Sequence, residues 1–165
     1  MLISALNAID ANSYVTVQDA DDYFVSRGIS GWSLLSNLEK EQALIRATDY
    51  LEATYYRAWI GRKETSSQSL SWPRIDAYYD EHFEIFGIPS ELKRATYEMA
   101  IRASKGELVS DQEQRIIKEK VDVLEVTYYE HGDQATRFDY VNRILKPIIK
   151  SAGNSTFQSV SLNRV

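Results

Sequence analysis

The sequence predicts a mainly α fold: a small helical bundle with a minor β element, a long central loop and an extended C-terminal arm. Three observations carry this reading. Apolar residues recur at helical spacing in several stretches that open on capping residues. Only residues 121–129 switch to the alternation of a strand. Between residues 61 and 87 the helical pattern fails. The division that follows is one helical domain over residues 1–150 and an arm over 151–165.

Each element has its own justification. "SYVTV" reads as a short extended piece, after which Thr16 can cap a helix carrying Ala20, Tyr23 and Phe24, with Gly28 as its stop. "SNLE" is a capping box, Ser36 followed three residues on by Glu39. It opens the strongest helix, 37–56, with Leu44, Ala47, Thr48, Leu51 and Tyr55 on one stripe and Lys40, Glu41, Arg46 and Glu52 assigned to the solvent side. A second helix is capped by Ser90 and closed by Gly106. Its stripe of Leu92, Ala95, Thr96, Met99, Ala100 and Ala103 is narrow and mostly small, which suits close approach to the 37–56 helix. A last helix over 136–149 carries Phe138, Val141, Ile144, Leu145, Ile148 and Ile149, with Pro147 expected to bend or end it.

Composition narrows the function classes. The chain has 165 residues, 44% hydrophobic and 26% charged, the balance of an ordinary globular domain, and its net charge is -5. A protein whose main task is neutralising phosphates is usually basic, so a general nucleic-acid coat is disfavoured, although a local basic face is not. There is no cysteine, which removes disulfides, thiolate metal sites and cysteine nucleophiles. The opening "MLISALNAID" lacks the basic start of a signal peptide, and no apolar run is long enough to cross a membrane, so neither leader nor membrane partner is expected. Eleven tyrosines point weakly towards surfaces that become interfaces.

No catalytic pattern emerges. The two histidines, His82 and His131, have no ligand spacing. "DADD" at 19–22 fails as a calcium loop because the sixth and twelfth positions are Phe24 and Ser30 rather than glycine and glutamate. Phosphate-binding glycine loops, nucleophile elbows and zinc-helix motifs are missing. The chain is therefore expected to be neither an enzyme nor a cofactor or metal binder. Single-strand binding has some support in Arg94, Arg102 and Lys105 on one helix and Arg46 and Arg57 on another, flanked by Tyr55, Tyr56 and Trp59. Glu91, Glu98 and Glu107 interrupt those bases, so a mixed solvated face reads the same way.

The least explained stretch is "SLSWPR", residues 69–74. It lies in a loop that is longer than compact domains usually carry without a function or a partner. The triplet Trp72-Pro73-Arg74 fits a catalytic corner, a stacking platform or a docking plug.

Taken in order, "ANSYVTVQDADDYF", "EKEQALIRATDYL", "GRKETSSQSLSWPR", "IPSELKRATYEMAIRA" and the terminal "RV" resemble the pattern of the head–tail adaptor (connector, head-completion) proteins of tailed bacteriophages. Members of that family also carry the label of DnaT-like single-stranded-DNA-binding proteins. The resemblance covers residues 11–105; 107–125 does not match, and "DAYYDEHFEIFG" is more acidic and aromatic than the pattern. It implies a structural virion protein at the head–tail junction, present in the host cytoplasm before assembly. Such a protein forms a ring with itself, typically twelvefold, below the portal protein. It meets a neck or tail-terminator protein and lets genomic DNA slide through without sequence-specific binding. On this reading Trp72 and Pro73 anchor the central loop on its own core or on a neighbouring subunit, and Arg74 pairs with a nearby acid. Tyr78, Tyr79, Phe157, Val160, Leu162 and Val165 complete the expected contacts with the ring or portal. The alternative is a DnaT-like single-stranded-DNA-binding protein.

Overall fold

The computed structural model describes residues 1–79, 82–106, 108, 118–121, 124–127 and 138–150. The helices are α1 (Val17–Val25), α2 (Ser30–Ser33), α3 (Asn37–Tyr55), α4 (Ser90–Ala103) and α5 (Asp139–Leu145), the last running into a 3-10 turn, Lys146–Ile148. Among the described residues three antiparallel two-stranded sheets accompany them: β1 (Arg62–Lys63) with β2 (Arg74–Ile75), β3 (Tyr78–Tyr79) with β4 (Phe83–Glu84), and β5 (Lys118–Val121) with β6 (Leu124–Thr127). The mainly helical class is what the described residues show. The arm over 151–165 lies outside them.

The expected Thr16 cap and Ser36–Glu39 capping box both form, and Asp19 completes a second box at Thr16. The Thr16 hydroxyl accepts from the Asp19 N–H while the Asp19 carboxylate accepts from Thr16 N–H, and Ser36 and Glu39 do the same for α3. Each satisfies two otherwise orphaned donors at a helix start. Gly28, at φ +66, takes the left-handed position after α1 that a side chain would resist. α4 departs from expectation: Pro89 is its N-cap residue and Ser90 already lies inside the helix. Proline leaves no side-chain acceptor, so this start has no side-chain cap hydrogen bond. α5 begins later than its apolar pattern suggested, at Asp139, and Pro147 sits where the α-helix tightens into the 3-10 turn.

The core lies between α3 and α4, with α5 packed on α4. Leu44, Leu51, Leu92 and Met99 are fully buried, each worth roughly 1.5–3 kcal/mol relative to exposure. Ala43, Ala47, Ala95, Ala100 and Ala103 are also buried, and their small side chains let the two helices approach closely. Thr48 and Thr96 enter this core without penalty because their hydroxyls donate to the Leu44 and Leu92 carbonyls at 3.0 and 2.8 Å.

Two assignments to the solvent face of α3 are corrected. Lys40 is buried, its Nζ 2.9 Å from Asp21 Oδ1, and the same carboxylate accepts from Trp32 Nε1 at 2.7 Å. Glu52 faces the N-terminal segment and the 69–74 stretch. Neither partner can be read from helical spacing, because both come from other parts of the chain.

The 61–87 segment is corrected as well. It carries two short hairpins and contributes Gln68, Ser71, Trp72, Ala77 and Ile85 to the interior, so the described part of it is packed on the chain's own helices. The expected single strand over 121–129 is instead the β5–β6 hairpin, with 122–123 and 128–129 outside the described residues.

Candidate nucleic-acid interface

The Trp-Pro-Arg corner is interior. Trp72 is 2% exposed, and its ring meets Trp59 edge-on at 6.3 Å. The flanking polar groups hold the corner from three sides. Ser71 donates its N–H and its hydroxyl to the Glu52 carboxylate, the hydroxyl at 2.7 Å, and the Tyr14 hydroxyl donates to the same carboxylate. Gln68 Nε2 donates to the Leu70 and Pro73 carbonyls at 2.9 and 3.0 Å. Burial, and after it the Glu52 charge, pushes the Tyr14 hydroxyl well above its ordinary pKa, so it stays protonated as the donor.

Among the described residues Arg74 pairs with no acid, where a nearby acid was expected. Its guanidinium donates to three backbone carbonyls, Ile60 at 2.6 Å, Gly61 at 2.7 Å and Ser71 at 3.1 Å. The fork geometry of guanidinium suits this: one side chain satisfies three carbonyls where the chain turns back on itself. Burial pulls the Arg74 pKa below its usual value. Trp72 is thus no stacking platform for a base, and of the two anchors expected for Trp72 and Pro73, the chain's own core is the one the structure shows.

The remaining expected contact residues separate. Tyr78 on β3 is exposed, whereas Tyr79 is half-buried and donates its hydroxyl to Glu91 at 2.6 Å. Phe157, Val160, Leu162 and Val165 lie outside the described residues. The basic set noted in the sequence separates too. Tyr55 and Trp59 are buried. Arg46 donates to the Ala103 carbonyl at the end of α4, and Arg102 pairs with Glu98 at 3.0 Å beneath Phe138. Arg94, Lys105, Tyr56 and Arg57 remain exposed.

Tyr56 and Arg57 belong to a larger basic seam. Residues 53–63 contain Arg57, Arg62 and Lys63 and no acid; residues 140–150 contain Arg143, Lys146 and Lys150 and no acid. The fold lays these two stretches side by side. Ile60 N–H donates to the Ile148 carbonyl at 3.2 Å, Lys150 N–H donates to the Ala58 carbonyl at 2.7 Å, and Trp59 and Ile149 form an antiparallel bridge between them. Arg62 is taken up by Asp76 at 2.7 Å, and Lys63 reaches the Gln68 and Ser69 carbonyls. Arg57, Arg143, Lys146 and Lys150 are exposed, and no carboxylate among the described residues is within ion-pair distance of them.

Rings border the seam. Tyr56 is 62% exposed next to Arg57, and β3, which carries exposed Tyr78, packs against the Lys146–Ile148 turn. Sequence reading missed Arg143, Lys146 and Lys150, although the two acid-free windows were a usable signal. Their adjacency was not, because it depends on pairing across most of the chain. Among the described residues no cluster of side chains suited to holding a metal ion occurs, and no helix is long and apolar enough to cross a membrane.

Comparison with known proteins decides the family. The model of the family described as "Putative DnaT-like ssDNA binding protein" matches residues 5–165. The chain belongs to that family. No curated protein and no solved structure matches it. None of these comparisons returns a head–tail adaptor, so the DnaT-like part of the resemblance is the part they support.

Proposed function

We propose that this DnaT-like chain binds single-stranded DNA along the basic seam formed by residues 53–63 and 140–150. The observation that carries the proposal is the group Arg57, Arg143, Lys146 and Lys150, exposed and without acid partners among the described residues, on a protein of net charge -5. Phosphates are held by such cations with release of counterions. Tyr56 and Tyr78 supply ring faces on which bases can stack without regard to sequence. The family description agrees with this reading. The overall negative charge confines attraction to the seam and repels phosphates elsewhere, which favours a short strand over a wrapped duplex. The test is fluorescence anisotropy of a labelled oligothymidylate against the full chain and a Lys146→Glu/Lys150→Glu double variant. The variant is expected to bind at least about tenfold more weakly.

A second reading rests on the resemblance of residues 11–105 to the head–tail adaptor pattern. On that reading the protein is a virion ring component that contacts a portal protein, a neck or tail-terminator protein and other copies of itself, with exposed Tyr78, Phe83 and Phe86 available for contact. Sedimentation with the cognate portal separates the two: mass gained only with portal favours the adaptor, and comigration with the oligonucleotide favours the DNA binder.

A further inference from the structure

A cleft of about 310 Å³ opens at the α1–α2 corner and shares no residue with the basic seam. Its apolar lining comes from Phe24, Val25, Ile29 and Trp32, with the Phe24 and Trp32 rings 4.7 Å apart. Asp21 and Lys40 also line it. A pocket of this size, mostly apolar with a few polar groups, is the kind that small ligands occupy.

The protein uses the polar pair only in part. Lys40 is 8% exposed, yet its ammonium carries three donors and makes one hydrogen bond among the described residues, 2.9 Å to Asp21 Oδ1. The same oxygen accepts from Trp32 Nε1 at 2.7 Å. Asp21 Oδ2 accepts from no group among the described residues, and the Asp21 side chain is 32% exposed. The pair therefore offers spare N–H donors and a spare acceptor oxygen side by side, with no net charge. A buried ammonium with unused donors is costly, and an acceptor relieves that cost. An anion meets Asp21 as well as Lys40, so the pair gives it no net attraction.

We propose that this cleft binds a small neutral molecule that joins an apolar ring or chain to one carboxamide or lactam group. The carbonyl oxygen accepts from Lys40 Nζ, the amide N–H donates to Asp21 Oδ2, and the apolar body lies against Phe24, Val25, Ile29 and Trp32. An amide matches both spare groups at once. A ketone matches one, and a hydrocarbon neither.

Four probes that share a phenyl ring test this: benzamide, acetophenone, toluene and benzoate. Each is titrated into the isotope-labelled full chain and followed by NMR at the Trp32 indole N–H. Benzamide is expected to shift that resonance saturably and to bind at least about tenfold more tightly than toluene, the factor that one net hydrogen bond supplies. Acetophenone should fall between them, and benzoate should bind no more tightly than toluene. Lys40→Met keeps the stem and removes the donors, and should abolish the preference for benzamide over toluene. Val25→Ser, at a position 76% exposed where little packing is lost, should weaken both probes alike. The ranking in the unaltered chain decides the matter even where Lys40→Met fails to fold. A Trp32 resonance that benzamide leaves in place overturns the proposal. So does toluene or benzoate binding as tightly as benzamide, or a folded Lys40→Met chain that keeps the preference.

Discussion

Ser71 donates both its backbone N–H and its hydroxyl to the carboxylate of Glu52, the hydroxyl at 2.7 Å, nineteen residues away in sequence. Tyr14 donates to the same carboxylate. One acid on α3 thus ties down both the N-terminal segment and the corner that carries Trp72. Glu52→Ala leaves three donors without their acceptor and is expected to destabilise the protein by about 3 kcal/mol, read from urea unfolding. Glu52→Gln, which keeps an amide oxygen in place, should lose less. Equal stability of all three proteins would show that the carboxylate is not what holds the corner.

Trp72 fills the core against Trp59. Trp72→Ala is expected to cost about 3–5 kcal/mol, the range for deleting a large buried aromatic side chain. The loss should appear in the isolated chain at every protein concentration. A folded Trp72→Ala chain of near-normal stability would move the residue's role from the core to an interface.

Gly61 sits at φ +65, and a Cβ there would lie 2.5 Å from the Ile75 carbonyl oxygen. That oxygen belongs to β2, across the β1–β2 pair, and backbone does not move aside cheaply. Gly61→Ala should lower stability by roughly 2 kcal/mol or more through backbone strain and the clash together. Gly28→Ala shares the positive φ but has open space around it, and should lose less. Thermal unfolding of the two variants ranks them.

Alkaline pH should unfold the protein in a defined window. Burial pushes the Tyr55 and Tyr97 hydroxyls up to about 12. In the unfolded chain a tyrosine loses its proton near pH 10. Between about pH 10 and 12 the folded state therefore binds more protons than the unfolded state, and stability falls as pH rises. Below pH 10 the contribution is fully present. Unfolding followed by circular dichroism, together with phenolate absorbance, should show the decline in that window, and Tyr97→Phe should flatten it. A stability that holds level from pH 9 to 12 contradicts the burial of these hydroxyls.

The starts of α1 and α3 were readable in the sequence because their signals are local; that of α4 was not, since Pro89 caps it without a side-chain acceptor. Thr16 as a cap and Ser36 with Glu39 as a capping box were each declared by the residues at the helix start, and both formed. The α3 and α4 stripes were readable for the same reason, since spacing alone places Leu44 and Leu51, or Leu92 and Met99, on one face. Lys40 and Glu52 were misplaced because a charged residue is assigned to solvent unless its partner is visible, and Asp21 and Ser71 are distant. The Trp72 corner looked like an exposed loop because the groups that satisfy it, Glu52, Gln68 and the carbonyls of Ile60 and Gly61, meet only after folding. The seam was half visible: two acid-free windows could be found by inspection, but not that Ile60 and Ile148 would join them.

Salt dependence of single-strand binding tests the central claim most directly. Oligothymidylate affinity of the full chain is measured by anisotropy over a series of salt concentrations. Contacts from Arg57, Arg143, Lys146 and Lys150 predict a log–log slope near -3, from about 0.7 per phosphate on a single strand, and a loss of about 1.4 in that slope for Lys146→Glu/Lys150→Glu. Absence of binding at low salt, or binding that the double variant leaves unchanged in strength and slope, would contradict the assignment of the seam.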